Sequence, residues 1–284
     1  MERANTQFTS AALIVKQGNP QALELGRKME AWLRERGVTA WLGMHESGGF
    51  PAGFPQVDVI FSLGGDGTFV SIARNLPDKR IPLAGVNFGQ VGFLANIAPK
   101  SWQESLTTLL EQGLKIESRM GLGYRHIRDG RILERGMVVN DVVVTRGELA
   151  RLVNLELYVN GTPFMLLRSD GIIISTSTGS SGYARSSGGP LLYPSLDAYV
   201  VTAICPYLGT FPPVVLEAET HFCMTAGQTG ASLFLNLDGQ EAHAMEPGDR
   251  VEVFGIPDAF RVLEQSPGAY FGKLRSVGFI QGGF

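Results

Sequence analysis

The run Gly64-Gly65-Asp66-Gly67-Thr68 sets one carboxylate among three glycines. Bare glycines let a backbone wrap closely around a phosphate, and a helix starting just beyond them would add N–H groups and a dipole that favour an anion. A carboxylate at the centre of an anion site needs a purpose. It could accept a proton from an attacking hydroxyl, hold a divalent cation, or do both in sequence, and proton acceptance by Asp66 is the expectation. As a bare loop, the same residues would make only a tight turn in which Asp66 caps the following helix. A second concentration of chemistry runs from Asp170 to Pro190. Five of the six positions Ser175 to Ser180 carry hydroxyls, ahead of glycines that permit close packing, which suits a polyhydroxylated, phosphate-bearing ligand more than a solvated loop. Between these two lies Asn140-Asp141, which would be a turn were it not followed at once by the apolar run Val142 to Val144.

The elements that must position these residues come in two kinds. The first hundred residues alternate short apolar runs with helix-like segments, the rhythm of a parallel sheet with crossover helices. Strands are expected at Ala11 to Lys16, Val57 to Leu63 and Ile81 to Val86. Helices are expected at Pro20 to Arg36, Thr68 to Asn75 and Ser101 to Gln112, the last with Ser101 as N-cap and Glu104 three residues on. The glycine loop thus falls where a strand gives way to a helix, the place where open α/β sheets put their ligands. From about Met137 the pattern changes to period-two alternation. Val153 to Val159 turns through Asn160-Gly161 into Phe164 to Leu167. Further strands are expected at Ile172 to Ile174, Tyr199 to Ile204, Ser232 to Leu237 and Arg250 to Phe254. With no long helix among them, the second half reads as antiparallel sheets packed together.

The bulk numbers narrow the function classes. A chain of 284 residues with 44% hydrophobic side chains can bury a sizeable core in two modest domains. With 18% charged residues and a formal net charge of −3 there is no basic excess for a nucleic-acid partner. Cys205 and Cys223 make neither a disulfide framework nor a zinc site. No apolar stretch approaches membrane-spanning length, so a soluble cytoplasmic protein is expected.

Together, Gly64 to Thr68, Asn140-Asp141, Asp170 to Pro190 and the stretch Gly89 to Leu94 resemble the NAD kinase family. That family combines a Gly-Gly-Asp-Gly-Thr loop, an Asn-Glu or Asn-Asp pair, and an Asp-Gly strand leading into a Thr/Ser-Gly-rich tyrosine segment. Asp238-Gly239 resembles a late Asp-Gly pair of the family. The resemblance implies a Rossmann-like α/β domain over residues 1–100, completed by the tail 262–284, and a mainly β NAD-binding domain over 101–261. It implies transfer of a phosphoryl group from ATP, or another donor such as polyphosphate, to the 2′-hydroxyl of NAD's adenosine ribose. Asp66 would then take the proton, Gly65, Gly67 and Thr68 would contact phosphates, and Phe93 would lie near adenine. Asn140 and Asp141 match the pair that grips ribose hydroxyls. Thr178, Ser181, Tyr183 and Ser186 fall where the family contacts nicotinamide and adenine, and Arg168 and Asp170 where a neighbouring subunit contributes. A Mg²⁺ or Mn²⁺ ion is expected to arrive with the nucleotide, without a preformed metal cage, and the assembly to be a homodimer or homotetramer.

The chain also departs from the family pattern. Ser177 and Gly182 replace a usual proline and alanine, and Tyr207 stands where many relatives carry histidine. The closing Lys273-Leu274-Arg275 resembles a basic tail without the usual tryptophan. Two rivals share part of the signature. A diacylglycerol- or sphingosine-type lipid kinase has the glycine loop, and a dinucleotide sensor could keep the pocket without the chemistry. The Asn140-Asp141 pair, the long hydroxyl segment and the lack of a basic amphipathic helix weigh against the first, and intact Asp66 and Thr68 against the second.

Overall fold

Short apolar runs in the first third of the chain become the strands of a parallel sheet. In this computed structural model, residues 6–45, 50, 53–89, 92–147, 151–209, 211–228 and 232–280 are described. The chain opens with β1 (Ser10–Lys16), α1 (Pro20–Glu35), β2 (Thr39–His45), β3 (Val59–Gly64), α2 (Asp66–Arg74), β4 (Pro82–Asn87) and α3 (Trp102–Gln112). β1 pairs in parallel with β2 and β3, and β3 with β4. Alternate residues Ala11, Leu13 and Val15 on β1, and Val59, Phe61 and Leu63 on β3, bury one face against Met29 and Leu33 of α1 and Leu106 of α3. The Asn19 side chain accepts the Ala22 N–H at the start of α1, where Pro20 needs no donor. Ser101 stands at the N-cap position of α3, but its hydroxyl makes no capping bond, so the expected capping box is not formed.

The remaining strands are β5 (Ile116–Arg128), β6 (Arg131–Val138), β7 (Asp141–Arg146), β8 (Val153–Val159), β9 (Thr162–Ser169) and β10 (Gly171–Thr176). After the short helix α4 (Tyr183–Ser186) follow β11 (Ala198–Ile204), β12 (Val214–Glu217), β13 (Phe222–Ala226), β14 (Leu233–Leu237), β15 (Glu241–Met245) and β16 (Arg250–Leu263), then helix α5 (Pro267–Ser276). Among the described residues one antiparallel sheet has the order β12-β11-β10-β7-β14-β15. A second set pairs β16, β13, β8 and β9 in antiparallel order, with β5 joining β16 and β6. Val142, Val144, Ile172 and Ile174 of the first sheet share a core with Leu155, Leu157, Phe222, Met224, Val251 and Val253 of the second. The opposite face of the first sheet, through Val143, Ile173 and Val200, packs on Ala184 and Leu192. The central strands β7, β10 and β11 are therefore buried on both sides, which is why β10 reads as an unbroken apolar run. Asn160 (φ 49°) and Gly161 (φ 76°) close the β8–β9 hairpin in the left-handed region that a two-residue turn requires.

The chain divides into two compact units, residues 1–117 with 260–284, and residues 118–259. The first takes in α3, which the local pattern groups with the first strands and helices, and the start of β5, both beyond the boundary at residue 100 that the family resemblance implies. Arg261 and Val262, the end of β16, pair with Pro82 and Leu83 of β4, so the tail completes the first unit's sheet. The sequence reading left out several elements, β6, β12, β13, β15 and α5 among them, and three further differences have a plain cause. β2 was not anticipated: as an edge strand it fully buries only Ala40, so it carries little apolar signal. The β-rich part starts at Ile116 and not near Met137; β5 escapes the sequence reading because the buried polar residues Arg119 and His126 break its apolar run. β16 runs well past Phe254, although Gly255, Pro257 and the left-handed Asp258 (φ 50°) read as a break.

Candidate active site

In the first unit, β3 delivers the chain into Gly64 and α2 begins two residues later. Gly65 is the extended N-cap, and its carbonyl accepts the N–H groups of Thr68 and Phe69 at 3.1 Å each. Asp66 is already helical and does not cap α2. Its carboxylate turns instead to the segment after β4. Oδ2 accepts the Phe93 N–H at 2.7 Å, and Oδ1 accepts those of Leu94 at 3.3 Å and Ala95 at 3.1 Å. A carboxylate offers about four lone-pair sites, so roughly one remains for a further donor. Gly92 permits this approach, since a Cβ there would collide with Asp66 Oδ1. A Cβ on Gly65 or Gly67 would meet nothing within 4 Å, and neither glycine has positive φ. Their missing side chains serve neither packing nor conformation in the chain itself, and they leave open room over the loop. Thr68 is buried beneath it.

Phe93 is half-buried and its ring lies 5.9 Å from that of Phe279 in a stacked arrangement, with Tyr270 edge-on at 6.4 Å. Part of the surface expected near adenine is thus covered by the chain's own tail. Of the stretch Gly89 to Leu94, Gln90 and Val91 lie outside the described residues.

In the second unit, Asn140 and Asp141 sit where β6 bends into β7. The turn and strand readings of this pair are both partly right, and Asp238 is the reason. Its carboxylate accepts the N–H groups of Val139 (3.0 Å), Asn140 (2.6 Å) and Asp141 (3.2 Å), holding the bend in shape. Gly179 completes the arrangement, since a Cβ there would strike the Asn140 carbonyl. The Asp141 side chain is left 8% exposed and, among the described residues, its carboxylate accepts no hydrogen bond. Burial, and then the negative charge of Asp238, push this carboxyl up to about 7.

Asp141 lines a cavity of about 560 Å³ with Tyr183, Asp238, Gly239, Asn236 and Glu241. Tyr183 is 46% exposed. Thr178, buried at the end of β10, has a hydroxyl with no partner among the described residues. Ser181 is half-buried and Ser186 exposed, both in the turn and short helix after β10. Arg168 and Asp170 do not line the cavity. The Arg168 guanidinium lies 5.1 Å from the Tyr207 ring, and Asp170 pairs with Arg146 at 2.7 Å. Sequence reasoning missed the structural work of Asp238 and the presence of Asn236 and Glu241. The pair Asp238-Gly239 was visible, but nothing local in a sequence connects it to a bend about a hundred residues earlier.

Known proteins resemble this chain in sequence and in fold. Residues 52–114 match the family described as ATP-NAD kinase N-terminal domain, and residues 139–264 that described as ATP-NAD kinase C-terminal domain. The NAD kinase of Nitratidesulfovibrio vulgaris (strain DSM 19637 / Miyazaki F) is 39% identical over 98% of this chain and 99% of its own length. That of Lawsonia intracellularis is 35% identical over 95% of each. Among solved structures, yeast NADH kinase complexed with NADH superposes with a TM-score of 0.86 at 19% identity, over 99% of this chain and 90% of that one. An NAD kinase from Archaeoglobus fulgidus in complex with ATP gives 0.76 at 24% identity, over 94% and 100%. These last two matches speak to fold alone.

Proposed function

This chain belongs to the NAD kinase family, and on that premise we propose that it transfers the terminal phosphoryl group of ATP to the 2′-hydroxyl of the adenosine ribose of NAD, giving NADP. The observation that carries the assignment of Asp66 is its carboxylate, fixed by three backbone N–H groups and keeping about one lone-pair site, beside glycines with open space above them. In this scheme the ribose hydroxyl donates to that remaining site. As its oxygen bonds to the terminal phosphorus, the proton passes to Asp66, the bridging P–O bond breaks, and ADP leaves with the electron pair. Gly65, Gly67 and Thr68, at the amino end of α2, offer the phosphate chain a bare backbone and a favourable dipole.

Asn140 and Asp141 grip a ribose diol, because a buried carboxylate without a donor gains most from two hydroxyls that supply them. Thr178, with its unpartnered hydroxyl, Tyr183 in the cavity wall, and Ser181 and Ser186 nearby offer polar and ring contacts to the bases. Phe93 adds a partly exposed ring edge toward adenine. A divalent cation, Mg²⁺ or Mn²⁺, supplies charge neutralisation on the phosphate chain when bound. Among the described residues no group of three or more His, Cys, Asp or Glu is arranged for a metal, so its ligands would be largely the nucleotide's own oxygens.

The same reading takes the protein to be a cytoplasmic homodimer or homotetramer in which Arg168 and Asp170 serve a neighbour's site. Two free cysteines, one exposed, suit a reducing compartment. Among the described residues, no helix is long and apolar enough to cross a membrane. The deciding experiment incubates the purified chain with ATP, Mg²⁺ and NAD and detects NADP with a coupled dehydrogenase. Turnover that falls by about 10²-fold in Asp66→Asn supports the assignment. Near-normal turnover in that variant removes the proton-accepting role, and phosphorylation of diacylglycerol in place of NAD would overturn the reading altogether.

A further inference from the structure

The Asp66 carboxylate owes its orientation to a segment that is held from its other side. Phe93, Leu94 and Ala95 present their N–H groups to Asp66, while the carbonyl of Phe93 accepts a hydrogen bond from Lys273 Nζ at 3.2 Å. The same ammonium bonds Asn96 Oδ1. The peptide group joining Phe93 to Leu94 therefore lies between a cation at its oxygen and an anion at its N–H. Both ends pull its dipole the same way, and each bond strengthens the other. Lys273 lies in α5, which starts from Ser266, whose hydroxyl accepts the Ala269 N–H, and from Pro267. The helix is anchored by buried Tyr270 and Leu274. Beyond it, Phe279 stacks on the Phe93 ring, and Tyr270 meets the same ring edge-on. Downstream, the segment is tied to β4 by Ile97 N–H to Gly85 O at 2.8 Å and Asn87 N–H to Ile97 O at 3.0 Å.

We propose that Lys273, in the C-terminal helix, is a positioning residue for the phosphoryl-transfer step: it clamps the Phe93–Asn96 segment so that its N–H groups aim the Asp66 carboxylate. This rests on the reading of Asp66 as the group that meets the ribose hydroxyl. Lys273 acts through the segment and touches no substrate in this scheme. Three N–H bonds to one carboxylate fix its plane only as well as the segment carrying them is fixed. In unit 1 that segment is held at Ile97 by strand pairing and at Phe93 and Asn96 by α5. Releasing the α5 hold lets the carboxylate turn, and misplacement of a reacting group by about 1 Å costs up to about 10²-fold in rate.

The test compares Lys273→Met, Lys273→Arg and Asn96→Leu, each alone and on an Asp66→Asn background, with kcat and KM measured for NAD and ATP. Melting is followed alongside, so that rates are compared where each variant is folded. Lys273→Met is expected to lower kcat by about 10- to 50-fold with both KM values within about twofold. Lys273→Arg should recover most of that loss, and Asn96→Leu should lower kcat by a smaller factor. On the Asp66→Asn background the Lys273→Met change should shrink to less than about threefold, because a clamp that works through the carboxylate has nothing left to aim. Unchanged kcat in folded Lys273→Met overturns the inference. So does a loss that multiplies in full on the Asp66→Asn background, or one that appears in KM alone. Near-normal turnover in Asp66→Asn by itself refutes the underlying role of Asp66 instead, so the two failures are told apart.

Discussion

Asp141 is a carboxyl that the fold holds at a cost, and Asp141→Asn exposes the size of that cost. Burial and the neighbouring Asp238 raise it from an ordinary value of 3.8 to about 7. Between those two values the folded chain keeps a proton that the unfolded chain has released. Stability therefore falls as pH rises across that window and levels off above about 7. The full rise corresponds to about 4 kcal/mol, an upper limit because the side chain lines a cavity open to water. Asparagine has almost the same shape and no charge at any pH. The variant should match the wild type below the ordinary value of 3.8 and be more stable by about 1–3 kcal/mol near pH 8, read from urea denaturation at a series of pH values. NAD binding should move the other way and weaken by about 1–3 kcal/mol, as one diol acceptor oxygen is lost. A stability difference that does not change with pH would refute the electrostatic account, and unchanged NAD affinity would take Asp141 out of the binding site.

Asp238→Asn keeps an acceptor for part of the 139–141 bend but removes the charge facing Asp141; a carboxyl titration followed by NMR should show the Asp141 midpoint fall, with about 1–3 kcal/mol of stability lost. Gly92→Ala would drive a methyl into Asp66 Oδ1, and kcat should drop at least about 10-fold with a modest loss in melting temperature, measured side by side. Asp249 has a buried side chain bonded to His126 Nε2 at 2.8 Å and to the Arg128 guanidinium at 2.7 and 2.8 Å. Burial alone would raise its carboxyl, but Arg128, the Glu246 N–H and His126 outweigh it and hold it down to about 2. Its contribution is therefore present above about 4 and is lost as pH falls toward 2, and Asp249→Ala should cost about 3–5 kcal/mol in urea denaturation at neutral pH.

What a sequence displays is set by how local the cause is. The strand-to-helix junction at Gly64 to Asp66 and the Asn160-Gly161 hairpin are legible because neighbours in sequence create them. β2 is hidden because an edge strand with one buried residue has little alternation to show, and pairing with β1 supplies what its composition lacks. β5 is hidden for the opposite reason: Arg119 and His126 are inside, and for His126 partners distant in sequence make that tolerable. The same rule divides the site. Asp66 and Asp141 stand out by type and neighbours, whereas the segments that orient them, Gly92 to Ala95 for one and Asp238 for the other, reach them across 27 to 97 residues. Resemblance to a family marks such residues as belonging together without saying what each one does.

The charge distribution within each unit also constrains where the parts of an anionic dinucleotide can go. The cavity of the second unit is walled by Asp141, Asp238 and Glu241, and among the described residues no lysine or arginine lines it. Asp238 is compensated by three N–H groups, but Asp141 has none among the described residues. A phosphate placed there would meet the charge of Glu241 and the charge that Asp141 carries above about pH 7, with no cation among the described lining residues to offset them. Hydroxyls, amides and aromatic rings carry no such penalty, and hydroxyls repair the one defect the cavity has, a buried carboxylate without a donor. Phosphates are better served in the first unit, where the amino end of α2 and the bare glycines offer dipole and room. The loop's own carboxylate is not the same obstacle, because Asp66 is largely satisfied by the Phe93, Leu94 and Ala95 N–H groups. The two units thus differ in what they can accept, one a sugar and its bases, the other a phosphate chain.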